Sequence, residues 1–217
     1  DTVSTFYPDP DVEVTSVDGV IQNDIVGTTT WAAARDAADG TLASDTTANT
    51  TAQRTFVTGA DYLVYRSWYL FDTSALGDTD AISAAVFSLA GTGAAETDTD
   101  TTDIDVVDST PASNTALTTA DFDQVNTTVR GSMALGSWNQ TDGTYNDITL
   151  GGTFTDYISR TSITKLAIRN SRDTDNVAPT GGNNHNSYYA DQAGTTKDPK
   201  LVVTHAAAAT RRVLILD

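Results

Sequence analysis

Cysteine is absent from the 217-residue chain, so disulfides, thiolate metal sites and thiol catalysis are excluded. The redox compartment stays unmarked for the same reason. Lysine is confined to Lys165, Lys197 and Lys200, glutamate to Glu13 and Glu96, histidine to His185 and His205, and methionine to Met133. With a formal net charge of -17 there is no basic patch to neutralise phosphates, which argues against nucleic acid and against anionic membranes as partners. No apolar run reaches the roughly 18 residues that a membrane-spanning helix needs. No signal-peptide pattern is present. The chain opens on Asp1 rather than Met, which reads as a processed product or a segment of something longer.

What is abundant is aspartate, 27 of the 29 acids, and threonine, 39 residues. Aspartate closes turns and threonine suits strands, so the composition describes a turn-rich β protein. Tolerance of high salt, where screening offsets dense charge, is a second reading of the same numbers. Calcium binding is a third. A chain of this mass buries roughly 70% of its extended surface, enough for one core without metals or cross-links.

The densest apolar stretch is Tyr65-Arg-Ser-Trp-Tyr-Leu-Phe-Asp72, followed by the turn Gly77-Asp-Thr-Asp80 and the run Ile82 to Leu89. Two strand-like runs about a short Gly/Asp connection predict a hairpin or a corner between sheets. Trp68 and Phe71 fall on opposite faces of an ideal strand, so only burial on both sides hides both. Further strands are expected at Thr2–Phe6, Val20–Val26, Arg54–Val57, Ile104–Val107, Val129–Leu135, Tyr145–Leu150, Ile163–Ile168, Tyr188–Asp191 and Lys200–His205. Asp18-Gly19 reads as a tight turn. Residues 41–53, 94–103 and 170–186 read as polar loops. Short helical turns are expected at Thr30–Ala37, where a strand edge is the alternative, at Thr118–Val125 and at Thr153–Ile158. This spacing predicts an all-β, mostly antiparallel jelly-roll sandwich over residues 1–205. Residues 206–217 form an alanine linker and an apolar strand, Arg211, Arg212, Val213, Leu214, Ile215 and Leu216 before Asp217. That strand is either the last of the same sheet or an assembly strand added to a neighbouring subunit.

Chemistry is sparse. There is no Gly-x-Ser-x-Gly elbow, no His-Glu-x-x-His helix and no phosphate loop. His205 ends a strand and is expected to be an ordinary surface or edge histidine. No enzyme is expected. Asp98, Asp100 and Asp103 lack the glycine and the terminal glutamate of a helix–loop–helix calcium loop. Asp72 and Asp191 are the better single candidates for a metal, with turn capping as the alternative; no cofactor is expected, calcium being the one candidate. A sugar platform would draw on Trp31, Trp138, Tyr188 and Tyr189, with core or loop packing the competing role.

Arg66-Ser-Trp-Tyr-Leu-Phe-Asp72 with Ser74 and Leu76, then Ile82 to Leu89, then Asp198-Pro-Lys-Leu-Val-Val-Thr204, resembles the DNRLRE-type domain family. That resemblance implies a jelly roll of the kind found as carbohydrate-binding modules on secreted or cell-surface proteins. Thr5-Phe-Tyr-Pro-Asp9, Glu13 to Gly19, Trp31, Arg35, Asp105 to Leu117 and Tyr188 to Gln192 resemble a repeat of virion surface proteins in tailed viruses. Taken together, the resemblances imply a non-catalytic structural protein on a virion exterior: a decoration, fibre or tail-type module that self-assembles or joins another virion protein. The alternatives are a carbohydrate-binding module and an extracellular filament or envelope subunit.

Overall fold

The computed structural model describes residues 1–24, 27, 30–59 and 61–207. In chain order the elements are β1 (Thr2–Phe6), β2 (Asp18–Asn23), α1 (Trp31–Arg35), β3 (Leu42–Ser44), β4 (Asn49–Thr58), β5 (Asp61–Asp72), β6 (Ala81–Ala90), β7 (Thr97–Asp98), β8 (Asp103–Ser109), β9 (Val125–Ala134), β10 (Tyr145–Leu150), β11 (Ile163–Asn170), α2 (Ser171–Thr174), β12 (Asn183–Tyr188) and β13 (Lys200–Ala206). Single 3-10 turns lie at Thr119–Asp121, Leu135–Ser137 and Phe154–Asp156.

Every strand pair is antiparallel. One sheet has the order β1-β13-β6-β10, and the other runs β7-β12-β4-β5-β11-β8-β9, with β2 joining β5 to β3. The two sheets pack as an all-β sandwich, as the strand spacing predicts. The run after Asp72 is a corner between sheets rather than a hairpin, because β5 and β6 belong to different sheets. Near β9 and β10 the sheets curl together. Gly151 N–H donates to the Arg130 carbonyl at 2.6 Å, and a Cβ on Gly131 would sit 2.6 Å from the Thr149 carbonyl oxygen, so only glycine permits the approach.

The long strand β5 organises the rest. Its Tyr65, Tyr69 and Phe71 join the core between the sheets, where Tyr69 stacks on Tyr189 and both Tyr69 and Phe71 meet Phe87. Val64, Trp68 and Leu70 point the other way, into a second core with Ile21, Ala34, Leu117 and Phe122. Alternation along one strand therefore feeds two cores, and both Trp68 and Phe71 are fully buried.

Several local expectations fail for one shared reason. Residues 41–53 hold β3 and the first half of β4, residues 94–103 hold β7, and residues 170–186 hold α2 and much of β12. The inward positions of β4 and β12 are polar: Gln53 meets His185, Thr55 and Asn170 bond, and Asn183 reaches Thr55. Paired polar side chains inside a sheet erase the apolar alternation on which strand reading depends. Asp18-Gly19 begins β2 rather than turning a hairpin. The expected strand from Tyr188 instead ends there. Trp31 to Arg35 is helical, with the Thr30 hydroxyl oxygen accepting from Ala33 N–H. Residues 211–216 lie outside the described residues.

Candidate functional site

The last strand carries Leu201, Val203 and His205 toward the core. Its ladder with β6 shifts register between Thr204 and His205, and β1 lies on its other side with Thr2 opposite His205 and Ser4 opposite Val203. The extra residue, Ser83, lies in β6, so β13 keeps an unbroken register with β1. Within that register His205 reaches diagonally to Ser4, whose Oγ lies 2.9 Å from Nε2. On the opposite ring edge, Nδ1 lies 2.6 Å from Asp80 Oδ2. A carboxylate can only accept, so Nδ1 carries the proton. In the neutral ring Nε2 is then the lone-pair nitrogen, accepting from the Ser4 hydroxyl.

Asp80 is held by the inter-sheet corner. Its backbone N–H donates to the Gly77 carbonyl at 2.9 Å, and Gly77 N–H donates to Oδ2 at 3.3 Å. Arg160 Nη1 donates to the Asp80 carbonyl at 2.8 Å. A Cβ on Gly77 would stand 2.4 Å from Asp80 Oδ1, so the residue at that position must be glycine for the carboxylate to sit there. His205 and Asp80 are buried and Ser4 is half-buried. The expectation of an ordinary surface or edge histidine is thus corrected: His205 is interior, on a strand flanked by β1 and β6, because the alternation of β13 turns it inward. The sequence offered no motif for this chain of groups, since its members stand 201 and 125 positions apart.

A second charged cluster lies on the outer face of β5. Asp173, in α2, accepts from Arg66 Nε and Nη2 on one side and from Arg169 Nε and Nη2 on the other, all at 2.7–2.8 Å. Burial alone would raise the Asp173 pKa, but the two guanidiniums and their hydrogen bonds hold the carboxyl well below the usual carboxylate range. Arg66 lies over the Phe122 ring at 4.2 Å and donates Nη1–H to the Phe122 carbonyl. A cavity of about 230 Å³ opens beside Arg35, Arg66 and Arg169, with Asp36 and Asp123 among its walls. Three arginines facing three aspartates leave no net charge there, so the cluster reads as a structural clamp between β5, β11 and α2.

The four aromatics named from sequence do not form a platform. Tyr189 is fully buried against Tyr69 and Ser67, and Trp138 is buried against His185 with ring centroids 4.3 Å apart. Both take the competing role of core packing, since large flat rings fill the gap between sheets. Trp31 packs edge-on to Tyr62 and donates Nε1–H to Asn176. Tyr188 donates to Asp142 at 2.7 Å and lies under the Lys197 ammonium at 4.4 Å. No contact joins Trp31 to Tyr188.

The two candidate metal ligands are also separate. Asp72 Oδ1 accepts from the Ser74 N–H and hydroxyl, a turn cap. Asp191 Oδ1 accepts from Asp11 N–H at 2.6 Å, and burial, with Asp11 and Asp45 nearby, raises its pKa. Buried Asp18 accepts from Ala190 N–H at 3.0 Å, and burial pushes its pKa well up. Among the described residues no three or more His, Asp or Glu side chains are grouped to hold a metal ion. No protein-family model matches the chain, and no curated protein is significantly similar to it.

Proposed function

We propose that this protein is a structural module of a virion exterior, of decoration, fibre or tail type, that assembles through strand contacts between subunits. One observation carries the assembly half. The strand β1 pairs with β13 on one side, and among the described residues no strand pairs with its other side. A sheet edge of this kind presents a row of free N–H and C=O groups. The chain leaves β13 beside Thr2, and its sequence continues into the apolar segment Arg211 to Leu216. Such a segment satisfies its own backbone by adding to the edge of a neighbour, where main-chain bonds give affinity and alternate side chains give register. The virion setting rests on the resemblance of Thr5–Asp9, Glu13–Gly19, Trp31, Arg35, Asp105–Leu117 and Tyr188–Gln192 to a repeat of tailed-virus surface proteins, and the acidic composition suits an exterior exposed to salt.

Light scattering on three versions tests the assembly: the whole chain, a chain ending after Ala207, and a full-length chain with Leu214→Lys and Leu216→Lys. The whole chain is expected to form a defined oligomer and both variants to be monomeric. A whole chain that is monomeric at high concentration, in low and in molar salt, removes the assembly reading.

A further inference from the structure

The Ser4–His205–Asp80 chain has the order of a nucleophile, a base and an orienting carboxylate. We propose that Ser4 is an activated nucleophile for carboxylic esters, with His205 as general base and Asp80 as the positioning residue that fixes the ring. The contacts of 2.9 Å and 2.6 Å both lie within hydrogen-bond reach, the geometric requirement for such a relay. Asp80 Oδ2 serves one ring nitrogen and one backbone N–H from the same corner, so its direction is fixed before any substrate arrives. The ring itself is desolvated, and Ser4 stays half-exposed on an edge strand where a small ester can reach it.

The chemistry balances without a cofactor. Ser4 Oγ attacks the ester carbonyl as its proton passes to His205 Nε2. The carbon–Oγ bond forms, the ester C–O bond breaks, and the alcohol leaves with the proton from Nε2. Water then attacks the acyl-serine with His205 again as base. The carboxylic acid departs and Ser4 regains its proton.

The test uses the whole 217-residue chain in its native assembly state. A fluorophosphonate probe should label one serine, on the tryptic peptide that contains Ser4, although the chain has fifteen serines. Hydrolysis of p-nitrophenyl acetate should exceed that of the heat-denatured chain, vanish in Ser4→Ala, and fall by about 10²–10⁴-fold in His205→Gln. Asp80→Asn should lower kcat more than KM, which loss of a purely structural bond would not do. Ser4→Ala removes one hydroxyl at a half-exposed edge position, so it reports even if the buried variants do not fold. Labelling spread over several serines, no labelling of the folded chain, labelling without turnover, or hydrolysis unchanged in Ser4→Ala would each overturn the proposal.

Discussion

Replacing Asp173 by asparagine should cost more stability than any surface change in this protein. The carboxylate takes four charge-assisted bonds from Arg66 and Arg169, two on each oxygen. An amide keeps one oxygen and turns an NH2 group toward donors, so two of the four bonds are lost. At about 1.5–3 kcal/mol for each hydrogen bond to a charged group, the loss is about 3–6 kcal/mol. An independent figure, the roughly 3–5 kcal/mol for breaking one side of a buried ion pair, agrees. The expected value near 4 kcal/mol would lower the melting temperature by about 8–16 °C in a domain of this size. Urea denaturation followed by tryptophan fluorescence, alongside calorimetry, measures it.

The pH dependence supplies a second check on the same substitution. Asp173 has a depressed folded pKa, so its contribution is present in full above the unfolded value near 3.9 and fades as pH falls toward the folded one. The gap between wild type and Asp173→Asn should hold steady from pH 7 to about 4.5, then narrow by about 1.4 kcal/mol per unit. A gap under about 1 kcal/mol at pH 7 would refute the clamp. So would a gap that ignores acid down to about pH 2. Replacing all three residues together, Arg66→Met, Arg169→Met and Asp173→Leu, should recover most of the loss, because no charge is then left buried alone.

Two further outcomes follow from particular side chains. His185 is fully buried against Trp138, and burial lowers its pKa to about 3. The unfolded imidazole takes a proton near 6.5, so stability should drain at about 1.4 kcal/mol per unit below that pH until the folded ring titrates. The wild-type slope between pH 6 and 4.5 should exceed that of His185→Gln, and a ring resonance that titrates above about pH 5 would contradict this. Gly77→Ala should destabilise by about 1–3 kcal/mol and displace the Asp80 carboxylate, read as loss of the hydrogen-bonded Nδ1 proton of His205 in NMR. An unchanged melt together with an unchanged resonance would remove the corner as the positioning element.

How far the sequence foretold this structure depended on what faced inward. The strand β5 was legible because its inward residues are aromatic or branched on both faces, and the glycine-aspartate run after it marked the corner. Threonine and asparagine hid the first half of β4 and most of β12, whose buried positions are satisfied by polar partners rather than by apolar contact: Asn183 with Thr55, Gln53 with His185, and Ser187 with the Tyr69 hydroxyl of β5 at 3.4 Å. A composition-based reading calls such residues loop. The site suffered more. Nothing local marks Ser4, and His205 looked peripheral because it closes a strand. Only the β1–β13 register, which sets Thr2 opposite His205, brings the two together.

The placement of charge joins these observations. The chain has few cations, and the described arginines are committed to protein partners: Arg66 and Arg169 to Asp173, Arg160 to the Asp80 carbonyl, Arg130 to Asp108, Arg54 over Phe56. Aspartates near the surface act instead as turn caps. Asp9 accepts three backbone N–H groups, and these bonds outweigh its desolvation and lower its pKa; Asp72 and Asp98 cap the turns that follow them. Each carboxylate that caps a turn stabilises locally while adding to the repulsion of a surface at net charge -17. The interior is therefore held by arginine and the exterior shaped by aspartate. Salt, which screens the exterior repulsion, barely reaches the buried clamp. An ester site at Ser4 would sit where these regimes meet, its carboxylate supplied by a capped turn and its histidine by the core.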